Sequence, residues 1–142
     1  MYRVLLPVDE NEQRAKQAAR DVAALPRDPD DIEVVVLNVD QPYSVGDGGG
    51  RVSSEEFFDE TDFPESVDAA VDILDGEGID AERQRTHGDA TEEIVGFAER
   101  MNADLITMSG RKRSPSGKVL FGSVTQSVLL EAERPVMVST LD

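Results

Sequence analysis

The chain has no cysteine and no tryptophan, a single histidine, and only three lysines, Lys16, Lys112 and Lys118. Without cysteine there are no disulfides and no thiolate metal sites. The lone histidine, His87, has no second histidine or cysteine with which to share a metal, so a structural role is expected for it. Long apolar runs are missing too. No stretch of about 18 apolar residues occurs, and no membrane-spanning helix is expected. The opening segment, residues 1–9, does not read as a signal peptide. Pro7 and Asp9 interrupt its apolar stretch, and no small-residue cleavage site follows. The cytoplasm is therefore the expected compartment.

Positive charge is scarce. Thirty acidic residues face 14 basic ones, for a formal net charge of -16 and a pI of about 4.3. A surface of this sign repels nucleic acid and anionic membranes, so neither is an expected partner. An acidic, lysine-poor surface stays hydrated in concentrated salt, where its self-repulsion is screened. The composition is the one expected of a halophilic archaeon.

At 142 residues a single domain over 1–142 is expected. Arg3 to Val8 reads as a buried strand, with Pro7 near its exit because proline cannot donate to a ladder. Asp9 or Asn11 caps a helix running to about Leu25, with Ala15, Ala18, Ala19, Val22 and Ala23 along one face. Pro26 and Pro29 stop it. Ile32 to Val39 is nearly continuous in apolar residues, as in a parallel strand covered on both faces. Residues 40–63 lose all periodicity. They read as a long flexible loop, rich in glycine over 46–50 and then acidic, with a short helix near 54–59 as one alternative. Such a loop is either a solvated insertion or a lid over a site.

A second helix spans Pro64 to Gly76 or Gly78, and a polar third strand, suited to a sheet edge, spans Ala81 to Thr86. After the turn His87-Gly88-Asp89 comes a third helix from about Thr91 to Met101. Asp104 to Met108 is the fourth strand. Gly122 or Ser123 to Glu133 is the fourth helix, where Ser123 and Gln126 match a capping box. Pro135 to Thr140 is the fifth strand. This alternation implies an α/β fold: a doubly wound, parallel sheet with right-handed crossovers.

Between Asp104 and Glu131 no acidic residue occurs, yet Arg111, Lys112, Arg113 and Lys118 cluster there. The fourth strand breaks at Ser109-Gly110, a basic loop follows, and Gly122-Ser123 opens a helix. The free N–H groups and the positive dipole end of a helix favour an anion such as phosphate. The alternative is a set of solvated charges that offset the acidic surface. The pattern G-x4-G-K-[ST] is absent, so this is not a P-loop, and neither G-x-S-x-G nor H-E-x-x-H occurs.

Several short motifs stand in a telling order: Pro7-Val8-Asp9 ending the first strand, Val39 closing the second, Gly88-Asp89 before the third helix, Gly122-Ser123-Val124 opening the fourth, and Arg134-Pro135-Val136 before the last strand. With them the chain resembles the universal stress protein family over essentially its whole length. The resemblance implies a five-stranded sheet in the order 3-2-1-4-5, with helices on both faces and a ligand crevice where the strand order reverses. It implies a non-catalytic, ATP-binding stress-response protein. ATP-binding members carry Gly-x2-Gly-x9-Gly-Ser/Thr after the fourth strand. Here Gly122-Ser123 completes the pattern, while Ser109 and Lys112 occupy the first two glycine positions. Gly110 and Gly117 offer backbone freedom nearby. The implied site comprises Pro7, Asp9, Val39, Met108, Ser109, Gly110, Arg111, Lys112, Arg113, Gly122, Ser123 and Val124. Asp9 would meet the adenosine, Val39 the adenine, and Ser123 a phosphate, with the cationic side chains replacing backbone dipoles. The ligand would be ATP, accompanied by Mg²⁺, or AMP. The same resemblance carries a second reading: a homodimeric signalling scaffold that binds no nucleotide, paired through residues 135–140 with Val136 and Val138 across a two-fold axis.

Overall fold

The computed structural model describes residues 1–41, 59–111 and 121–141, and of Arg111 the backbone only. Among the described residues five strands and four helices alternate: β1 (Tyr2–Pro7), α1 (Glu12–Ala23), β2 (Ile32–Asp40), α2 (Glu65–Gly76), β3 (Asp80–His87), α3 (Ala90–Arg100), β4 (Leu105–Arg111), α4 (Ser123–Glu131) and β5 (Val136–Leu141). A single 3-10 turn, Pro29–Asp31, leads into β2. All pairings are parallel, and the sheet order is β3-β2-β1-β4-β5.

Period-two alternation along the inner strands sends side chains into two layers. In β1, Val4 and Leu6 pack with Ala15, Ala19 and Val22 of α1 and with Val67, Val71 and Leu74 of α2. Leu5, between them, points the other way and joins Ile94 and Ala98 of α3 and Val128 of α4. β2 divides likewise, Val34 and Val36 to the first layer and Leu37 to the second. That is why its sequence is apolar almost throughout. The polar β3 lies at one edge, as its composition predicts, and β5 forms the other.

Helix starts follow local chemistry. Asn11 caps α1, its side chain accepting from the Arg14 N–H at 2.9 Å. Asp89 does the same for α3, accepting from the Glu92 N–H at 3.0 Å. Each satisfies a donor that the first turn leaves unpaired. Of the two candidate caps for α1, Asn11 is the one used. The first residue of the expected loop is instead the last residue of β2, since Asp40 pairs with His87. Residues 42–58, including most of that loop and its proposed helix, lie outside the described residues.

Ile106 is fully buried in the centre of the second layer. Ile106→Ala removes packed methylenes and leaves a cavity, so it is expected to lower unfolding free energy by about 2–5 kcal/mol in urea titration.

Candidate functional site

β1 pairs with β4 over only two positions, Val4↔Leu105 and Leu5↔Ile106. Beyond these the strands part. β1 stays with β2 through Pro7↔Leu37, and the Val8 N–H continues the contact to the Leu37 carbonyl at 2.8 Å. β4 stays with β5 as far as Arg111↔Leu141. The chain leaving β1 forms α1 on one face of the sheet, while the chain leaving β4 forms α4 on the other. A crevice therefore opens at the carboxyl ends of β1 and β4, the place where open α/β sheets bind ligands.

Two adjoining cavities occupy it. The first, of about 140 Å³, has apolar walls that include Leu37, Val39, Ile94, Met108 and Val124, with Pro7 at its margin. The second, of about 300 Å³, is bounded by Gly110, Phe121, Gly122 and Ser123. Asp9, Arg14, Ser109, Val124 and Thr125 line both, which makes them one crevice with an apolar end and a polar end.

Asp9 follows directly on β1 and is held from several sides. Its Oδ1 accepts from the Asn11 N–H at 2.8 Å, a turn just ahead of the helix cap. Its Oδ2 accepts from Arg14 Nη2 at 2.9 Å. The Ser66 hydroxyl of α2 donates to its carbonyl. Asp9 thus faces the crevice from a fixed backbone, and Asn11, not Asp9, performs the capping.

The opposite wall departs from expectation in three ways. First, the strand does not break at Ser109-Gly110. Ser109 pairs with Ser139 and Gly110 with Thr140, because β5 supplies ladder partners that a breaker-like dipeptide does not advertise. Second, Gly110 is not needed for positive φ; the positive-φ glycines among the described residues are Gly78, Gly88 and Gly122. It is needed for space, since a Cβ there would lie 2.5 Å from the Phe121 carbonyl oxygen. Third, the Ser123 capping box does not form. Gly122 is the N-cap, at φ 91, and its carbonyl accepts from the Gln126 N–H at 3.0 Å. Ser123 is the first helical residue and its hydroxyl has no hydrogen-bond partner among the described residues. The Ser109 Oγ is buried and likewise has no partner among the described residues.

The structure thus brings Pro7, Asp9, Val39, Met108, Ser109, Gly110, Gly122, Ser123 and Val124 to one crevice. Arg111 ends β4 opposite Leu141 at the same end of the sheet. Lys112, Arg113, Gly117 and Lys118 lie outside the described residues. Sequence reasoning missed Arg14, Ala90, Ile94 and Thr125. For Arg14 the available signal was its place in the first turn of a helix capped two residues after Asp9.

His87 Nδ1 lies 3.1 Å from Asp40 Oδ2, and Arg85 bonds Asn38 Oδ1 at 3.0 Å and the Asp59 carbonyl at 2.7 Å. Asn38 in turn donates to the Val8 carbonyl at 3.1 Å, bracing the segment that carries Asp9. The Asp59 carboxyl is held below its ordinary value of 3.8, first by the Thr61 hydroxyl and then by the Thr61 N–H. Among the described residues no group of three acidic, histidine or cysteine side chains could hold a metal, and no helix is long and apolar enough to cross a membrane.

Comparison with known proteins supplies a family. The sequence profile of the universal stress protein family matches residues 1–139. A universal stress protein from Archaeoglobus fulgidus is 31% identical, with a TM-score of 0.76 over 97% of this chain and 98% of that one. A universal stress protein structure from the same organism, solved in complex with dAMP, is 26% identical, with a TM-score of 0.69 over 97% of each chain. A universal stress protein from Mycolicibacterium smegmatis is 44% identical over 55 residues, which span 39% of this chain and 42% of that relative.

The crowding at Gly110 can be checked directly. Gly110→Ala forces the Phe121 carbonyl aside and is expected to cost about 1–3 kcal/mol in a denaturant titration. Ser109→Ala, which removes a buried hydroxyl with no partner among the described residues, is expected to be neutral or slightly stabilising by the same measurement.

Proposed function

The chain belongs to the universal stress protein family, and from that premise we propose that the crevice between β1 and β4 binds an adenine nucleotide without turning it over. The observation that carries this reading is the continuity of the crevice: an apolar cavity joins, through five shared residues, a polar cavity at the start of α4. A nucleotide has the same division, a flat apolar base at one end and phosphates at the other. Pro7, Val39, Met108 and Val124 suit the base. Asp9 suits the ribose hydroxyls, which donate to carboxylate oxygens. Gly110, Gly122 and Ser123 suit the phosphates, because the first-turn N–H groups of α4 have no intrahelical acceptors. The dAMP bound by the related Archaeoglobus fulgidus protein supports an adenine ligand.

ATP is the fuller ligand in this reading, with Arg111, Lys112 and Arg113 answering the charge of its outer phosphates. A Mg²⁺ ion would be carried chiefly by those phosphate oxygens, since the crevice offers no carboxylate besides Asp9 among the described residues. Asp9 is already engaged by Arg14 and the Asn11 N–H. Among the described residues no histidine and no acid besides Asp9 lines the crevice, so binding without turnover is the reading taken here.

A second reading concerns assembly. All six residues of edge strand β5 are only half-buried, and Leu130 on the preceding helix is 80% exposed. An apolar edge of this kind favours pairing with another strand. Homodimerisation through residues 135–140 is compatible with nucleotide binding and also suits a scaffold that binds none.

Isothermal titration of ligand-free protein with ATP or AMP and Mg²⁺, at low and high salt, is expected to give saturable heat and a raised melting temperature, with phosphate release at background. At ligand about 100-fold above Kd the stabilisation should reach about 2.7 kcal/mol. No heat and no melting shift would sink the proposal. For assembly, sedimentation equilibrium is expected to show a dimer that Val138→Lys converts to monomer; a wild-type monomer at micromolar concentration would overturn that reading.

A further inference from the structure

We propose that Arg14 is the residue by which this site tells a nucleotide from its nucleoside, its guanidinium binding the phosphate attached to the ribose. The proposal rests on the nucleotide reading above and assigns charge recognition to α1.

Three observations lead there. The first is position. Arg14 lines both the apolar cavity and the cavity at the start of α4. A ligand with its base in one and its outer phosphates in the other must carry its ribose–phosphate junction past the residues common to both. Arg14 is the only cation among them.

The second is unmet bonding capacity. The Arg14 side chain is 25% exposed, against 46% for Arg3 and 39% for Arg83, both in surface ion pairs. A guanidinium carries five N–H donors. Only Nη2 has a partner among the described residues, Asp9 Oδ2 at 2.9 Å. Nε and Nη1 have none. Nη2 carries two N–H groups, and whichever one meets Asp9, the other stands parallel to the N–H of Nη1 or of Nε, a fork that suits two oxygens of a phosphate. The buried Ser109 Oγ on the opposite wall, also without a partner among the described residues, offers a neutral donor to the same group.

The third is pre-arrangement. Asp9 holds the guanidinium, and Asp9 is itself fixed by the Asn11 N–H at 2.8 Å and by Ser66. The Asn11 cap holds the Arg14 backbone at 2.9 Å. The cation is therefore oriented before any ligand arrives, which reduces the ordering that binding must supply. The pair also divides the ligand chemically: carboxylate toward the ribose donors, guanidinium toward the phosphate acceptors.

The test is titration of wild type, Arg14→Met and Arg14→Lys with AMP and with adenosine, the melting temperature of each variant being recorded in parallel. Wild type is expected to bind AMP more tightly than adenosine. Arg14→Met should weaken AMP at least about tenfold and adenosine less than about twofold. Arg14→Lys keeps a charge opposite Asp9 but loses the fork, and should fall between the two for AMP while leaving adenosine unchanged. A general disturbance of the fold would weaken both ligands together, so equal losses, or AMP binding that is unaffected, overturn the proposal while leaving nucleotide binding standing. Wild type that binds neither ligand overturns the nucleotide reading and this role with it.

Discussion

The whole site depends on a short seam. β1 and β4 are hydrogen-bonded neighbours for two residue pairs and then separate. Pro7 sits at that point in β1. It has no N–H to offer a ladder, so a longer β1–β4 pairing would be incomplete there. β1 keeps its bond to β2 through the Val8 N–H, and β4 keeps its register with β5 to Arg111. The separation gives a ligand room at the centre of the sheet. The opposite exits of α1 and α4 give it two walls with different chemistry. Had both crossovers covered one face, the strand ends would have met a helix on one side and open solvent on the other.

Each wall is then fixed by a small number of close contacts. On the α1 side, Asn38 braces Val8, Ser66 braces Asp9, and Asn11 caps the helix that carries Arg14. On the α4 side, the Phe121 carbonyl approaches Gly110 so closely that no side chain fits between them, and Gly122 adopts a φ of 91 to start the helix. A non-glycine residue at that φ would be strained by roughly 1–2 kcal/mol. The two glycines thus do different work within one contact: one admits a neighbouring backbone, the other turns the chain so that α4 aims its first turn at the crevice.

The failures of sequence reading fall where a partner distant in the chain decides the outcome. Ser109-Gly110 reads as a strand end, yet Ser139 and Thr140 of β5 extend the ladder through it. Ser123 and Gln126 satisfy a capping-box pattern, yet Gly122, at φ 91, takes the cap position beside the close approach of Phe121 to Gly110. Arg14 has the composition of an ordinary helix surface charge. Only the placement of α1 beside the ends of β1 and β4 turns it toward the crevice. The successes are of the opposite kind. The alternation in β1, the apolar run of β2, the polar character of β3 and the apolar faces of the helices are local, because burial on a strand or helix repeats with a fixed period.

The sequence by itself therefore determined the succession of strands and helices, the parallel α/β class and the family. Those properties follow from periodicity, breakers and motif order, all of which act between near neighbours. Tertiary structure alone decided how far β4 runs, which residue caps α4, why Gly110 must lack a side chain, and that a helix arginine faces the site. These depend on distances between segments up to about a hundred residues apart in the chain, such as the Arg3 N–H bonded to Asp104. Such distances are set by the packing of the two layers against the sheet, and no local pattern records them.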